Sequence, residues 1–226
     1  MVFRGGGRPR RRGWTVGLLL LGLLFLLEQL HFGGPVVRAD TATRAWVLGH
    51  PLPVIHSLAE LIADLANPPS VLALMLVGVV ALAVWRRSWQ PLALAGTAIV
   101  MLMVAVFSLK NLVGRPGPLG DGALAWPSGH TTTSVVVCGV LTQLLCAEHR
   151  RIHTAIMVVV PGLVGVALVL RNYHWASDVV AGWLVGTLLL MAAVALVRWA
   201  FGAVRRRAEP NTAEGPQLPA FRRVPN

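Results

Sequence analysis

Charged residues are scarce in this chain of 226 residues. Asp, Glu, Lys and Arg together make up 13% of the sequence, whereas 55% of the residues are hydrophobic, and the mean hydropathy is +0.67. A soluble domain of this length cannot bury so much apolar surface. The shortage of charge therefore argues against an ordinary soluble protein and indicates an integral membrane protein.

Acidic residues and cysteines are also few. Nine acids stand against twenty basic residues, and the formal net charge is +11. We expect no nucleic-acid partner, because the basic residues form short clusters between apolar runs, as in the cytoplasmic loops of membrane proteins. The two cysteines, Cys138 and Cys146, share one apolar run without metal-ligand spacing. We interpret them as small buried hydrophobic residues.

Six apolar runs predict an all-α bundle of six transmembrane helices, because each run supplies the ~20 residues, or slightly fewer, that a crossing needs. The basic stretch before the first run also fits a signal peptide, but the run is long and lacks a clean small-residue cleavage site, which favours a retained helix. Within 34–70, SLAELIADLA has helical spacing and predicts one or two short amphipathic helices at the interface. The predicted runs cover 14–32, 71–85, 91–109, 131–147, 154–171 and 179–201.

The arginines predict the orientation in the membrane. Most basic residues fall in the N-terminal segment, two turns and the C-terminal tail, which the positive-inside rule places in the cytoplasm. We therefore predict a multi-pass protein of the inner (plasma) membrane with both termini inside. The predicted organisation is a disordered basic segment, 1–13, a six-helix domain, 14–203, and a disordered cytoplasmic tail, 204–226.

Polar residues cluster at the outer ends of the third to sixth predicted spans. They come from three segments, SLKNLVGRPGP, WPSGHTTTS and LRNYHWASD, which the predicted topology places on the periplasmic or exterior side. Ionisable groups near a membrane are costly and commonly mark function. The candidate site residues are Lys110, Arg115, Ser128, Gly129, His130, Arg171, His174 and Asp178.

These residue types together suit phosphate chemistry. Cations around one point neutralise a phosphate and donate hydrogen bonds to its oxygens, and Gly129 at a helix start lets backbone N–H groups approach an anion. Two histidines allow one to attack phosphorus while the other moves protons. Asp178 follows His174 by four residues; if this stretch is helical, Asp178 lies one turn along the same face and can orient the imidazole of His174. No metal is required, and the cations argue against an added dication.

Together the three segments resemble the signature of the type 2 phosphatidic acid phosphatase superfamily, six-helix membrane phosphatases of lipid phosphates that work without a metal. That signature has a Lys followed by an Arg-Pro element, then Pro-Ser-Gly-His, then an Arg followed by a His and, four residues later, an Asp. Residues 127–130 match the second element in full, and His174 and Asp178 match the third. The order, the spacing and the helix count agree over roughly residues 35–200.

Two arginines of the family signature are displaced in this chain. The family has six residues between its lysine and Arg-Pro; counted from Lys110, that arginine position holds Gly117, and Arg115 lies two residues earlier. The family arginine six residues before the histidine falls on Leu168, with Arg171 three residues later. We expect Arg115 and Arg171 to substitute for them.

The resemblance implies a function and a role for each residue. The chain would be a lipid phosphatase without a cofactor, acting in the bilayer on polyprenyl diphosphate, phosphatidic acid or phosphatidylglycerol phosphate. His174 would attack the phosphate and form a phosphohistidine, and His130 would protonate the leaving oxygen and then activate water. The phosphoryl oxygens would be held by Lys110, Arg115, Arg171, Ser128 and the backbone of Gly129.

Two other functions stay open. A lipid phosphotransferase would use the same histidine with an alcohol acceptor. A catalytically inactive membrane scaffold or transporter would explain the displaced arginines as lost chemistry. Simpler roles are open as well, since Lys110 could anchor a helix at the interface and Asp178 could cap one. Nothing in the sequence indicates an oligomeric state.

Overall fold

A computed structural model describes residues 9–146 and 148–208 of the chain. The disorder predicted for 1–8 and 209–226 falls outside these ranges. Within them the chain is nearly all helical, which confirms the predicted all-α class. The helices are α1 (Pro9–His31), α2 (Pro35–Gly49), α3 (Pro53–Leu65), α4 (Pro68–Arg86), α5 (Gln90–Val113), α6 (Gly129–Leu145), α7 (Arg150–Leu170) and α8 (Ala176–Ala208).

Helix boundaries follow local sequence signals. Helices α2 to α5 each carry a proline in their first two positions, where the missing N–H costs no intrahelical bond. Helix α5 ends at Gly114, whose φ of 62° lies in the left-handed region that glycine adopts without strain. Helices α1 and α8 extend to Pro9 and Ala208, beyond the predicted limits of the helical domain at 14 and 203.

Five helices are long and apolar enough to cross a membrane, judged by length and composition. The sixth predicted span corresponds to α6, which has 17 residues and packs against α4, α5, α7 and α8. The count of six spans therefore stays a prediction. The candidate spans are Gly13–His31, Pro68–Arg86, Gln90–Val113, Arg151–Leu170 and Ala176–Val204.

Large apolar side chains cover the outside of the bundle. Trp85, Phe107 and Leu112 are 79%, 73% and 81% exposed, respectively. Such a surface would aggregate in water, whereas lipid solvates it, and helices satisfy their backbone hydrogen bonds internally as a bilayer requires. The chain is a multi-pass membrane protein.

The segment before α4 folds as two helices, in agreement with the one or two predicted there. Helix α3 buries Ala59 and Ala63 and packs against α7, while Leu61 and Leu65 stay exposed. Helix α2 packs against α1 and α8 and buries Asp40. The two helices thus cover one end of the bundle and bring acidic residues to it.

Glycines allow α8 to pack closely on α6. A Cβ atom on Gly182 would lie 2.9 Å from the Ser128 carbonyl oxygen, and one on Gly186 would lie 2.8 Å from Cβ of Val135. Small residues spaced four apart are the usual way for membrane helices to approach so closely. This contact sets the start of α6 beside the start of α8, where the candidate residues lie.

Candidate active site

Three chain segments meet at one end of the bundle: the loop 114–128 between α5 and α6, the turn 171–175 between α7 and α8, and helix α2. The indole N–H of Trp175 donates to the Pro116 carbonyl oxygen at 3.0 Å, and the backbone N–H of Ser128 donates to the Asp178 carbonyl oxygen, also at 3.0 Å. The predicted site segments therefore converge, as the topology of the sequence suggested.

The two histidines of the motifs face each other. His130 lies in the first turn of α6, and His174 lies just before α8. Their ring centroids are 6.5 Å apart with an interplanar angle of 69°, and the side chain of His174 is 10% exposed. Two imidazoles at this separation can act on one small group from two sides.

Asp178 is both a helix cap and the partner of His174. Its Oδ2 accepts the backbone N–H of Trp175 at 3.0 Å. Trp175 is the N-cap of α8 and Asp178 is the third helical residue, so this bond is the half of a capping box that runs from the third residue back to the N-cap. The same oxygen lies 3.5 Å from Nδ1 of His174, and this nitrogen has no closer polar partner among the described residues. Asp178 is fully buried, so its charge acts on these neighbours without screening by water.

Arg115 faces two carboxylates, whereas the sequence analysis assigns it to the substrate phosphate. Its Nη1 donates to Oδ1 of Asp178 at 2.6 Å and to Oγ of Ser177 at 2.7 Å. Its Nη2 donates to Oδ2 of Asp40 at 2.7 Å, and its guanidinium carbon lies 5.2 Å from the ring centroid of Trp175. Both of its terminal nitrogens are engaged by protein groups, and its charge is balanced by two acids.

Lys110 is half-buried in the last turn of α5 and reaches the site. Its ammonium group donates to the Leu124 carbonyl oxygen in the loop 114–128, and it lies within electrostatic range of Asp178 and His130. A lysine that served only as an interface anchor would extend toward water. Its place among the motif residues agrees with the interpretation of Lys110 as a site residue.

Ser128 and Gly129 form the start of α6. Ser128 is fully buried and is the N-cap; its Oγ accepts from the Thr131 backbone N–H at 3.4 Å, and its carbonyl oxygen accepts from the Thr132 hydroxyl at 2.7 Å. The hydroxyl of Ser128 therefore holds the helix start. A Cβ on Gly129 would meet only Val106, at 4.0 Å, so the space beside this helix end is open.

Arg171 pairs with residues outside the candidate set. Its Nη2 is 3.4 Å from Oε1 of Glu60 on α3, and its guanidinium carbon is 5.5 Å from the Tyr173 ring centroid. The side chain is 26% exposed and that of Glu60 is 51% exposed. The structure therefore gives the two displaced arginines different acids: α2 supplies Asp40 to Arg115, and α3 supplies Glu60 to Arg171.

The positions of the family arginines offer no cation of their own. Leu168 is fully buried in an apolar cluster with Ala63, Ala66 and Val164. Gly117 sits in the hairpin-like loop, where a Cβ would lie 3.4 Å from the Ala123 carbonyl oxygen.

Asp40 is the member of this cluster to which the sequence analysis assigned no role. It is 3% exposed, and its Oδ1 accepts the backbone N–H of Ser177 at 2.9 Å. Its Oδ2 accepts from Arg115 and from the Ser177 hydroxyl. The only hint in the sequence was that acidic residues are rare in this chain. No spacing connects Asp40 to the three motifs.

Comparison with known proteins agrees with this arrangement. The PAP2 superfamily model matches residues 120–201, a range that contains both histidines and Asp178. The resemblance to the type 2 phosphatidic acid phosphatase superfamily is thereby confirmed. Lys110, Arg115 and Asp40 lie before the matched range.

Two relatives illustrate the similarity. The crystal structure of a transmembrane PAP2 type phosphatidylglycerolphosphate phosphatase from Bacillus subtilis has the same fold, with a TM-score of 0.69 and 22% identity; the alignment covers 81% of this chain and 96% of that one. The lipid A 1-phosphatase of Porphyromonas gingivalis is 31% identical over 104 residues, 46% of this chain. The aligned part spans about a quarter (23%) of that relative's length.

Proposed function

We propose that the protein is a membrane lipid phosphatase that removes phosphate from a lipid monoester or diphosphate through a phosphohistidine intermediate. The observation that carries this proposal is the group of His130, His174 and Asp178, whose two imidazoles are 6.5 Å apart and whose carboxylate lies at Nδ1 of His174. Both named relatives are phosphatases of lipid phosphates, which supports the same chemistry here.

In the first step Nε2 of His174 attacks phosphorus. The N–P bond forms, the bond from phosphorus to the lipid oxygen breaks, and His130 supplies the proton that the leaving oxygen takes. Asp178 accepts a hydrogen bond from Nδ1–H of His174. This bond keeps the proton on Nδ1, leaves the Nε2 lone pair free for attack, and stabilises the positive charge on the phosphorylated ring. The 3.5 Å separation of this pair is expected to shorten when substrate binds.

In the second step water replaces the histidine. His130, now without its proton, takes a proton from the attacking water, the N–P bond breaks and phosphate leaves. Lys110 and the N-terminal backbone of α6 at Gly129 hold the phosphoryl oxygens, because an ammonium group and a helix N-terminus both stabilise anionic oxygen. Ser128 contributes by holding that helix end, and Arg115 by holding Asp178.

An apolar cavity along α6 supports a lipid substrate. Its volume is about 260 Å³, and it lies between α3, α6 and α7, where its lining includes Ile62, Ser134, Cys138 and Val164. Ser134, in the lining of this cavity, lies one helical turn after His130 on α6. Part of an acyl or prenyl chain fits there while the phosphate lies between the histidines. Polyprenyl diphosphate, phosphatidic acid and phosphatidylglycerol phosphate are the substrates to test.

The positive-inside distribution of arginine supports an outward-facing site in the inner (plasma) membrane. The cluster lies at the end of the bundle opposite Arg150 and Arg151, the first two residues of α7. On this basis the substrate headgroup is presented from the periplasm or the cell exterior.

Phosphate release by the purified full-length protein in detergent tests the proposal. We expect phosphate release from at least one of the three lipids in the presence of EDTA, and we expect His174→Ala to abolish it. The control is His149→Ala, which should keep the activity, because His149 is exposed and lies before α7 at the opposite end of the bundle. If the folded protein releases phosphate from none of the three lipids, the proposal that it hydrolyses lipid phosphates is wrong. Phosphate transfer to an added lipid alcohol would then identify a phosphotransferase. Absence of transfer as well would identify a catalytically inactive protein.

A further inference from the structure

Asp40 is a buried acid that the phosphatase chemistry does not use directly. It comes from α2, outside the matched range 120–201, yet it contacts two groups next to the proposed catalytic residues. Its Oδ1 accepts the backbone N–H of Ser177, and its Oδ2 accepts from Arg115. A carboxylate that is 3% exposed is costly to bury unless it is paired and hydrogen-bonded.

Arg115 connects Asp40 to Asp178. The guanidinium is planar, and its two terminal nitrogens point in fixed directions relative to each other. One of them, Nη2, is held by Asp40 at 2.7 Å, and the other, Nη1, is held by Asp178 at 2.6 Å. The position of Asp40 therefore determines where Arg115 directs its second arm.

The second arm in turn orients the Asp178 carboxylate. Oδ1 of Asp178 is taken by Arg115, which leaves Oδ2 for the Trp175 backbone N–H and for Nδ1 of His174. A carboxylate with one oxygen fixed in this way cannot rotate without breaking a buried ion pair. Asp40 also holds the first turn of α8 through the Ser177 backbone.

We infer that Asp40 is a positioning residue for the phosphoryl transfer: it holds Arg115 and the first turn of α8, and through them it directs the Asp178 carboxylate toward His174. The inference rests on the proposed function. The hydrogen bonds of Asp40 within the described part of the chain go to Arg115 and Ser177 and not to the histidines, so we expect its effect on the chemical step and not on substrate binding.

The first test is Asp40→Asn, which has the same shape and keeps an acceptor for the Ser177 backbone but removes the charge that holds Arg115. We expect kcat to fall roughly ten- to a hundredfold, as for other partners that orient a catalytic side chain, with KM changed less than about threefold. The matched control is Asp121→Asn in the exposed loop, where the side chain accepts only the Ala123 backbone N–H; this variant should keep wild-type kcat. An unchanged kcat in folded Asp40→Asn overturns the inference.

The second test uses Arg115→Lys, which keeps the positive charge but cannot hold two carboxylates with two fixed arms. Since Asp40 acts through Arg115, we expect this variant to lose kcat as well and the double variant with Asp40→Asn to lose little more. Fully multiplicative losses would show that the two residues act independently and would overturn the inference. If Asp40→Asn does not fold, the kcat and KM of Arg115→Lys decide the question alone.

A spectroscopic measurement separates this inference from the proposed function. The ¹⁵N NMR signals of histidine-labelled protein report which ring nitrogen carries the proton, and His174→Gln assigns the His174 signals. We expect the Nδ1–H tautomer of His174 to dominate in the wild type and to lose population in Asp40→Asn and in Arg115→Lys. An unchanged tautomer ratio overturns the role of Asp40. A wild type without phosphatase activity overturns the proposed function, while the tautomer ratio still decides the role of Asp40.

Discussion

Arg115 and Arg171 carry similar signals in the sequence but have different structural surroundings. Each is displaced from a position where the family has an arginine, and each pairs with an acid from the segment before α4. The pair of Arg115 with Asp40 is buried, 2.7 Å long and shared with Asp178. The pair of Arg171 with Glu60 is 3.4 Å long and half in solvent. The two arginines therefore have different consequences for stability and catalysis, because water screens one pair and not the other.

The largest expected effect follows removal of the buried cation. Arg115→Gln leaves Asp40 and Asp178 next to each other without a balancing charge, and breaking a buried ion pair in this way typically costs about 3–5 kcal/mol. We expect the midpoint of thermal or denaturant unfolding in detergent to fall accordingly, together with phosphatase activity. Arg171→Gln is the matched control, and an equal loss of stability in both variants would contradict the contrast between the two sites.

A smaller effect is expected at the hydroxyl between the two acids. Ser177 accepts from Arg115 at 2.7 Å and donates to Asp40, so Ser177→Ala leaves buried polar groups with one partner fewer. This loss should lower the unfolding free energy by about 1–3 kcal/mol. Thr41→Ala on the same end of the protein removes an exposed hydroxyl that donates to the Arg38 carbonyl oxygen and should change the unfolding free energy far less. Comparable values for the two variants would mean that the network is not tightly packed.

A weak effect is expected when the exposed arginine loses its charge. Arg171→Gln removes an ion pair of the kind that contributes about 0–1 kcal/mol, and it should leave kcat within about twofold and raise KM by at most about threefold. Steady-state kinetics on the best lipid of the panel measures both constants. A tenfold rise in KM would show instead that Arg171 leaves Glu60 to bind the substrate phosphate, as the sequence analysis expects.

The smallest effect concerns the partner of that arginine. Glu60→Gln removes the ion-pair partner of Arg171. We expect KM to stay the same or fall by up to about twofold, since an unpaired cation attracts an anionic substrate at long range. Kinetics at low and high salt provides the control, because an exposed charge is screened by salt and a buried one much less. A loss of kcat in Glu60→Gln would contradict the expectation that the Glu60–Arg171 pair does not act on the chemical step.

Much of the fold could be predicted from local sequence. The apolar runs predicted the long helices because a bilayer requires about twenty apolar residues per crossing, and the helical spacing of SLAELIADLA predicted a helix before α4. The length of α6 was harder, since the apolar run at 131–147 continues beyond the point where the helix ends at Leu145. Helix ends depend on caps and on packing as well as on hydropathy.

The candidate site was predictable where its residues are close in sequence. His174 and Asp178 are four residues apart, and Ser128, Gly129 and His130 are consecutive, so spacing alone was enough to recognise these motifs. Asp40 could not be found in this way, because its partners lie 75 and 137 residues further along the chain. The contact exists only because α2 packs against α8.

The sequence by itself determined the all-α membrane class, the order of the helices and the group of motif residues that meet at one end, because hydropathy and short-range spacing are local properties. Only the tertiary structure decided which acid each arginine contacts, and therefore that Arg115 holds Asp178 while Arg171 lies beside Glu60. Partner choice depends on distances and burial between elements far apart in the chain, and burial sets the strength of a charge pair.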